Sequence, residues 1–157
     1  MSKPDTAEQT LHGGVLVGDD GSPRATEALH YAAAEAARRG CDLHVVRAWN
    51  VKNAVRPPDY SPALVPSTQE FQDAVLAHTQ PRARAAAERH GVTDRVHVHA
   101  VHGAATRTLL DLSHQVDVVV VGAQGLSGIA GRLLGSVANT VVREADCPVV
   151  VVRGRHA

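Results

Sequence analysis

The sequence predicts an α/β domain built on one doubly wound, five-stranded parallel sheet, in the order 3-2-1-4-5, with helices on both faces. Three observations lead there. Short valine-rich runs alternate with helix-like segments, giving the order βαβαβαβαβ. The run Val116-Asp-Val-Val-Val-Val121 is almost continuously apolar, as a strand covered on both faces must be. Finally, 157 residues suit one domain and not two, and a hydrophobic content of 44% supplies its core.

Each element carries its own signal. Residues 1–12 are polar and are expected to form a mobile tail. Gly14-Val-Leu-Val-Gly18 reads as the first strand, and Asp19-Asp-Gly-Ser-Pro23 as the turn into a helix. Ser22 is a good N-cap there, and Pro23 suits the first helical position because its missing N–H would have no partner anyway. The alanine-rich stretch 24–39 is a strong helix former, with Arg38 and Arg39 against its C-terminal dipole and Gly40 closing it. Leu43–Trp49 is the second strand. Residues 50–66 hold four prolines and no periodicity, so they form a loop. Ser67-Thr-Gln-Glu70 has the form of a capping box opening a helix to Gly91, with a kink or break expected at Pro81. Val96–Val101 is the third strand, 104–114 the third helix, and Val116–Val121 the fourth strand. A glycine-rich loop runs from Gly122 to Gly135. Ser136 is expected to cap a fourth helix ending near Ala145, and Pro148–Arg153 is the last strand.

Composition excludes several functions. Lys plus Arg and Asp plus Glu both number 16, so no net positive field draws nucleic acid or anionic lipid, and aromatics are only 3%. No apolar run approaches the roughly 18–20 residues that span a bilayer, and the first residues carry no signal-peptide core. Cys41 and Cys147 match no metal or redox spacing. The expectation is a cytoplasmic protein that engages neither nucleic acid nor membrane.

In such sheets ligands bind beyond the carboxyl ends of the strands, where the strand order reverses. Strands one and four meet there. One ends in Asp19-Asp20-Gly21-Ser22 and the other in Gly122-Ala-Gln-Gly125. Gly122 and Gly125 are followed, after residues 126–134, by Gly135-Ser136 at a helix start. Glycines let backbone approach a phosphate closely, and a helix N-terminus favours an anion. Ser136 either caps the helix or donates to a phosphate, and Arg132 brings a cation into the loop. The same spacing also fits a flexible glycine loop before an ordinary capped helix. Neither the P-loop pattern nor the dinucleotide fingerprint occurs.

The spacing G-2x-G-9x-G-[ST], carried by Gly122, Gly125 and Gly135-Ser136, resembles the ATP-binding signature of universal stress proteins. Val15 to Pro23, Leu43 to Trp49, Val116 to Gly122 and Gly135 to Arg153 are similar to that family's strands and turns, covering roughly 13–153. A C-terminal tail, 154–157, remains outside it. The resemblance implies a flavodoxin-like or adenine-nucleotide-hydrolase-like sheet and a homodimer. It implies that Gly125, Ser136 and Val137 hold phosphates with Arg132 as helper, and that Gly122 lies near the ribose. It places Gly18 and Asp20 beside the nucleoside and Ala48 at the adenine. Gln124 stands where many relatives carry a basic residue or His. Two adjacent carboxylates, Asp19 and Asp20, would repel a triphosphate unless a divalent cation intervened, so ATP with Mg²⁺ is the expected ligand. The implied role is a nucleotide-dependent stress regulator or adaptor with an unnamed protein partner. A weak ATPase, with Asp19 or Asp20 as base, or a phosphotransfer enzyme using the same crevice, and a nucleotide-free dimeric scaffold, are the alternatives.

Other residues weigh less. Ser22, Ser127 and Ser136 are nucleophiles by type, but no G-x-S-x-G elbow surrounds them. His97 and His99 share a strand face about 7 Å apart, with His102 elsewhere, and read as a polar surface strand; His30, His44, His78, His90 and His114 read as scattered. Cys147 reads as a small buried hydrophobe. Val149–Val152 falls at the sheet edge and is the expected dimer contact.

Overall fold

The computed structural model describes residues 10–61, 63–124 and 134–154. They form β1 (Val15–Gly18), α1 (Pro23–Arg39), β2 (Leu43–Trp49), α2 (Thr68–His90), β3 (Val96–His102), α3 (Ala105–Ser113), β4 (Val118–Gly122), α4 (Ser136–Glu144) and β5 (Val149–Val152). The five strands make one parallel sheet in the order β3-β2-β1-β4-β5, as the alternation of elements predicted.

Strand pleating sorts the side chains into two layers. Val15, Val17, Leu43, Val45, Val118 and Val120 point to one face and pack on the alanines of α1 and α2, among them Ala28, Ala32, Ala36, Ala83 and Ala87. Small alanines let these helices lie close to the sheet. Leu16, Val46, Val119 and Val121 point to the other face, against Leu109 and Leu112 of α3 and Ala138 and Val141 of α4. All four valines of β4 are buried, as the unbroken run required.

The helix ends follow their sequence signals. Ser22 accepts from the Ala25 amide, and Pro23 occupies the first turn of α1. Ser67 and Glu70 form the reciprocal capping box of α2. The break expected at Pro81 is absent, since α2 runs unbroken to His90. Proline there deprives the Ala77 carbonyl of its helical partner. Ala77 and Pro81 both lie on the exposed side of α2, where water takes that carbonyl, so the helix tolerates the loss.

No helix among the described residues is long and apolar enough to cross a membrane.

Candidate functional site

The backbone opens the site. β1 pairs with β4 from Val15–Val118 to Val17–Val120, whereas on its other side β1 stays paired with β2 through Gly18–Val46. The described pairing between the two central strands ends where the strand order reverses, so their carboxyl ends flank a crevice. Gly18 closes the β1 side under α3: a Cβ added there would lie 3.2 Å from Leu109 Cδ1. Ala48, half-buried, stands opposite Val101 near the end of β2. Asp20 follows β1 and accepts the Ser22 amide through Oδ1 at 2.9 Å.

On the β4 side, Gly122 ends the strand opposite Val152. The Ala123 amide donates to Val152, and the Ala123 carbonyl accepts the Gly135 amide at 2.7 Å. The second bond pins both ends of the glycine loop together, so the loop leaves β4 and returns to α4 at one point. Gly125 and Arg132 lie outside the described residues, as does Ser127.

Gly135, rather than Ser136, is the N-cap of α4. Its backbone is extended (φ −59°, ψ 164°), its carbonyl accepts the first helical bond from Asn139, and no side chain among the described residues caps the helix. Glycine and serine are both good caps, so the adjacent pair left the boundary open to a shift of one residue. Ser136 and Val137 are therefore the first two helical residues. Their amides, together with that of Ala138, have no partner inside the helix.

Arg24 at the start of α1 donates to Gln124 Oε1 at 3.0 Å, linking the first turn of α1 to the glycine loop. This contact spans 100 residues and has no signature in the sequence.

The largest departure from expectation is Asp19. Its side chain is wholly buried, 0% exposed, and gripped by Arg82 of α2. Arg82 Nε donates to Oδ2 and Nη2 to Oδ1, each at 2.9 Å, and Nη2 also donates to the Ser22 carbonyl at 3.0 Å. Asp19 is therefore neither a base facing solvent nor a second bare carboxylate beside a triphosphate. It continues the Val15, Val17 side of β1 and points toward α1 and α2.

Arg47 does the same on β2, continuing the side of Leu43 and Val45. It is 6% exposed, and its Nη1 lies 3.4 Å from His78 Nδ1. Burial lowers the Arg47 pKa, and the charges of Asp19 and Asp20 oppose that shift. The guanidinium packs against Gly21, which has φ +80°; a Cβ there would fall 2.1 Å from Nη1. Sequence reading passed over Arg82 and Arg47 and took His78 for one of the scattered histidines. A charge at the odd positions of two otherwise apolar strand faces was the available sign.

His44 also departs from expectation, because it is not isolated. His44 and His97 are register partners and their rings stack at 5.1 Å, while His44 Nδ1 lies 3.2 Å from His99 Nε2. Burial, then His44 and His97, push the His99 pKa down to about 4. Even so, no group of three His, Cys, Asp or Glu among the described residues is arranged to hold a metal ion. His102 stacks instead on Trp49 at 4.3 Å. Cys147 is half-buried against the α3–α4 layer, and burial raises its pKa.

Comparison with known proteins agrees with this architecture. A universal stress protein of Mycolicibacterium smegmatis is 35% identical over 141 residues, which is 90% of this chain and 46% of that protein. The chain thus spans about half the length of the curated relatives it matches. Among solved structures, a universal stress protein in complex with cAMP is 31% identical, with a TM-score of 0.62 over 92% of this chain and 98% of that one. The universal stress protein UspA of Lactobacillus plantarum is 26% identical, with a TM-score of 0.68 over 92% and 100%. The model of the Universal stress protein family matches residues 13–153, and the chain belongs to that family.

Proposed function

We propose that the chain binds an adenine nucleotide in the crevice between β1 and β4, with ATP and Mg²⁺ as the working ligand, and serves as a nucleotide-dependent regulator or adaptor. The observation that carries this reading is the pinned loop. Gly135 closes onto Ala123 beside Gly122 and opens α4 with no side-chain cap among the described residues. That leaves a helix N-terminus, with the amides of Ser136 and Val137, beside the carboxyl end of β4, which suits a phosphate. The relative solved with cAMP supports adenine nucleotide as the ligand class.

In this reading Ala48 and Gly18 border the base, Asp20 and Gly122 the ribose, and Gly125, Ser136 and Val137 the phosphates, with Arg132 adding positive charge. Asp19 is committed to Arg82, so in this reading Asp20 is the carboxylate of the turn that borders the ligand or its cation. Nucleotide occupancy would order the loop and alter the surface offered to a partner. Dimerisation through β5 fits the same scheme, because β5 is an edge strand and its four valines are only half-buried.

The test is to denature the purified protein and identify any released nucleotide, then titrate Mg·ATP, ADP, AMP and cAMP by calorimetry. Stoichiometric ATP, or micromolar binding of Mg·ATP, supports the reading. ADP accumulation on incubation moves it toward hydrolysis. An empty protein that binds none of the four overturns it, as does full ATP affinity in Ser136→Glu.

A further inference from the structure

We infer that Arg82 and Arg47 are positioning residues for the nucleotide: from the α1–α2 side of the sheet they hold residues 19–22 so that Asp20 stands at the crevice. The inference rests on the adenine-nucleotide reading of that crevice and assigns to it two residues that do not line it.

The turn is short and is held at several points. The Asp19 amide donates to the Val46 carbonyl at 2.9 Å. The Gly21 amide donates to Asp19 Oδ1 at 3.0 Å, and the Ser22 amide to Asp20 Oδ1 at 2.9 Å. Arg82 grips Asp19 with two nitrogens and also reaches the Ser22 carbonyl. One α2 side chain therefore holds both ends of the turn. Arg47 fills the space behind Gly21 and leaves no room for a side chain there. Displacing the turn strains the Arg82 fork or presses Gly21 on the Arg47 guanidinium.

Core packing does not call for this arrangement. The preceding positions on the same faces, Val15, Val17, Leu43 and Val45, are apolar and fully buried. Charge enters these faces at Asp19, just past β1, and at Arg47, which lies in β2 between Val45 and the buried Trp49. A buried ion pair exchanged for well-packed apolar residues is often neutral or stabilising. A purely structural role therefore predicts that an apolar exchange costs no more than the lost partners of the Gly21 amide and the Ser22 carbonyl, and leaves affinity alone. A positioning role predicts that stability and affinity separate.

The experiment compares the full chain with the Asp19→Val/Arg82→Met double variant and with Arg82→Lys, whose point charge cannot reproduce the fork. Three quantities are read: thermal midpoint, calorimetric Kd for Mg·ATP, and amide exchange at Ser22 without nucleotide. The Ser22 amide is chosen because its acceptor is Asp20, which neither variant alters. The expected result is a thermal midpoint within a few degrees of the parent, a Kd raised at least tenfold, and Ser22 exchange at least tenfold faster. Arg82→Lys should fall between, and it covers the case in which the double variant fails to fold. Unchanged affinity in a folded variant overturns the inference, and so does unchanged Ser22 exchange. A parent chain that binds no nucleotide removes the reading beneath it, a distinct outcome, and Ser22 exchange then still decides whether the fork holds the turn.

Discussion

Arg82 and Asp19 meet through two parallel hydrogen bonds of 2.9 Å, one residue on the second helix and the other just past the first strand. Such a fork is stronger and more directional than a single contact. It ties the longest helix of the fold to the turn that begins the crevice.

Breaking that pair from one side should be costly. Arg82→Met leaves the Asp19 carboxylate buried, with Arg47 as the remaining nearby cation, and should destabilise the protein by about 3 kcal/mol. Urea unfolding measures this. A loss under about 0.5 kcal/mol, the scale of an ordinary surface substitution, would mean that the carboxylate finds water or Arg47 at no expense.

Gly21 and Gly91 both have positive φ, +80° and +73°, yet only Gly21 is crowded. An added Cβ at Gly91 has nothing within 4 Å. Gly91→Ala should therefore cost only the backbone strain, about 1–2 kcal/mol. Gly21→Ala should cost more by a further 1–3 kcal/mol of overpacking against Arg47. Equal midpoint shifts for the two variants would show that Arg47 swings aside freely.

Stability should fall in mild acid through the β2–β3 histidines. His99 titrates near 4 in the folded chain, against an ordinary value near 6.5. Between those values the unfolded chain binds the extra proton, so stability declines as pH drops from about 6.5 toward 4, by of order 2 kcal/mol. His44, whose pKa is lowered chiefly by burial, adds in the same direction. The decline measured by urea midpoints should be shallower in His99→Gln; identical slopes in the two proteins would exclude His99 as the source.

The capping box of α2 makes a simpler forecast. Ser67 Oγ accepts the Glu70 amide at 3.2 Å, and Glu70 Oε2 accepts the Ser67 amide at 2.6 Å. Ser67→Ala removes the first bond and should cost about 1 kcal/mol. A midpoint shift confined to measurement error would show that water caps the helix equally well.

What could be read in advance was what neighbouring residues decide. Valine runs, the Ser22–Pro23 helix start and the alternation of strand and helix pointed to a doubly wound parallel sheet, and 3-2-1-4-5 is a common order for that class. The crevice at the strand reversal followed from that order alone. What escaped depends on residues distant in sequence. Asp19 looked free because Arg82 is 63 residues away. His44 looked isolated because its ring partners lie on β3, and the β2–β3 register is not written in either strand. Pro81 looked like a break because proline's usual effect ignores which side of the helix faces water. Gly135 and Ser136 differ too little as caps for spacing to choose between them.

The central place of β1 also bears on how the chain comes off the ribosome. β1 is made first, pairs with β2 within about thirty residues, and finds its other neighbour, β4, about a hundred residues later. At roughly 5–20 residues per second, synthesis leaves that second edge without its native partner for about 5–20 s. During this interval the nascent β1–β3 half, with α1 and α2 in place, presents an open parallel edge of Val15, Leu16 and Val17. An unpaired parallel edge of this kind is open to pairing with another chain, so the prompt docking of β4 is what closes it.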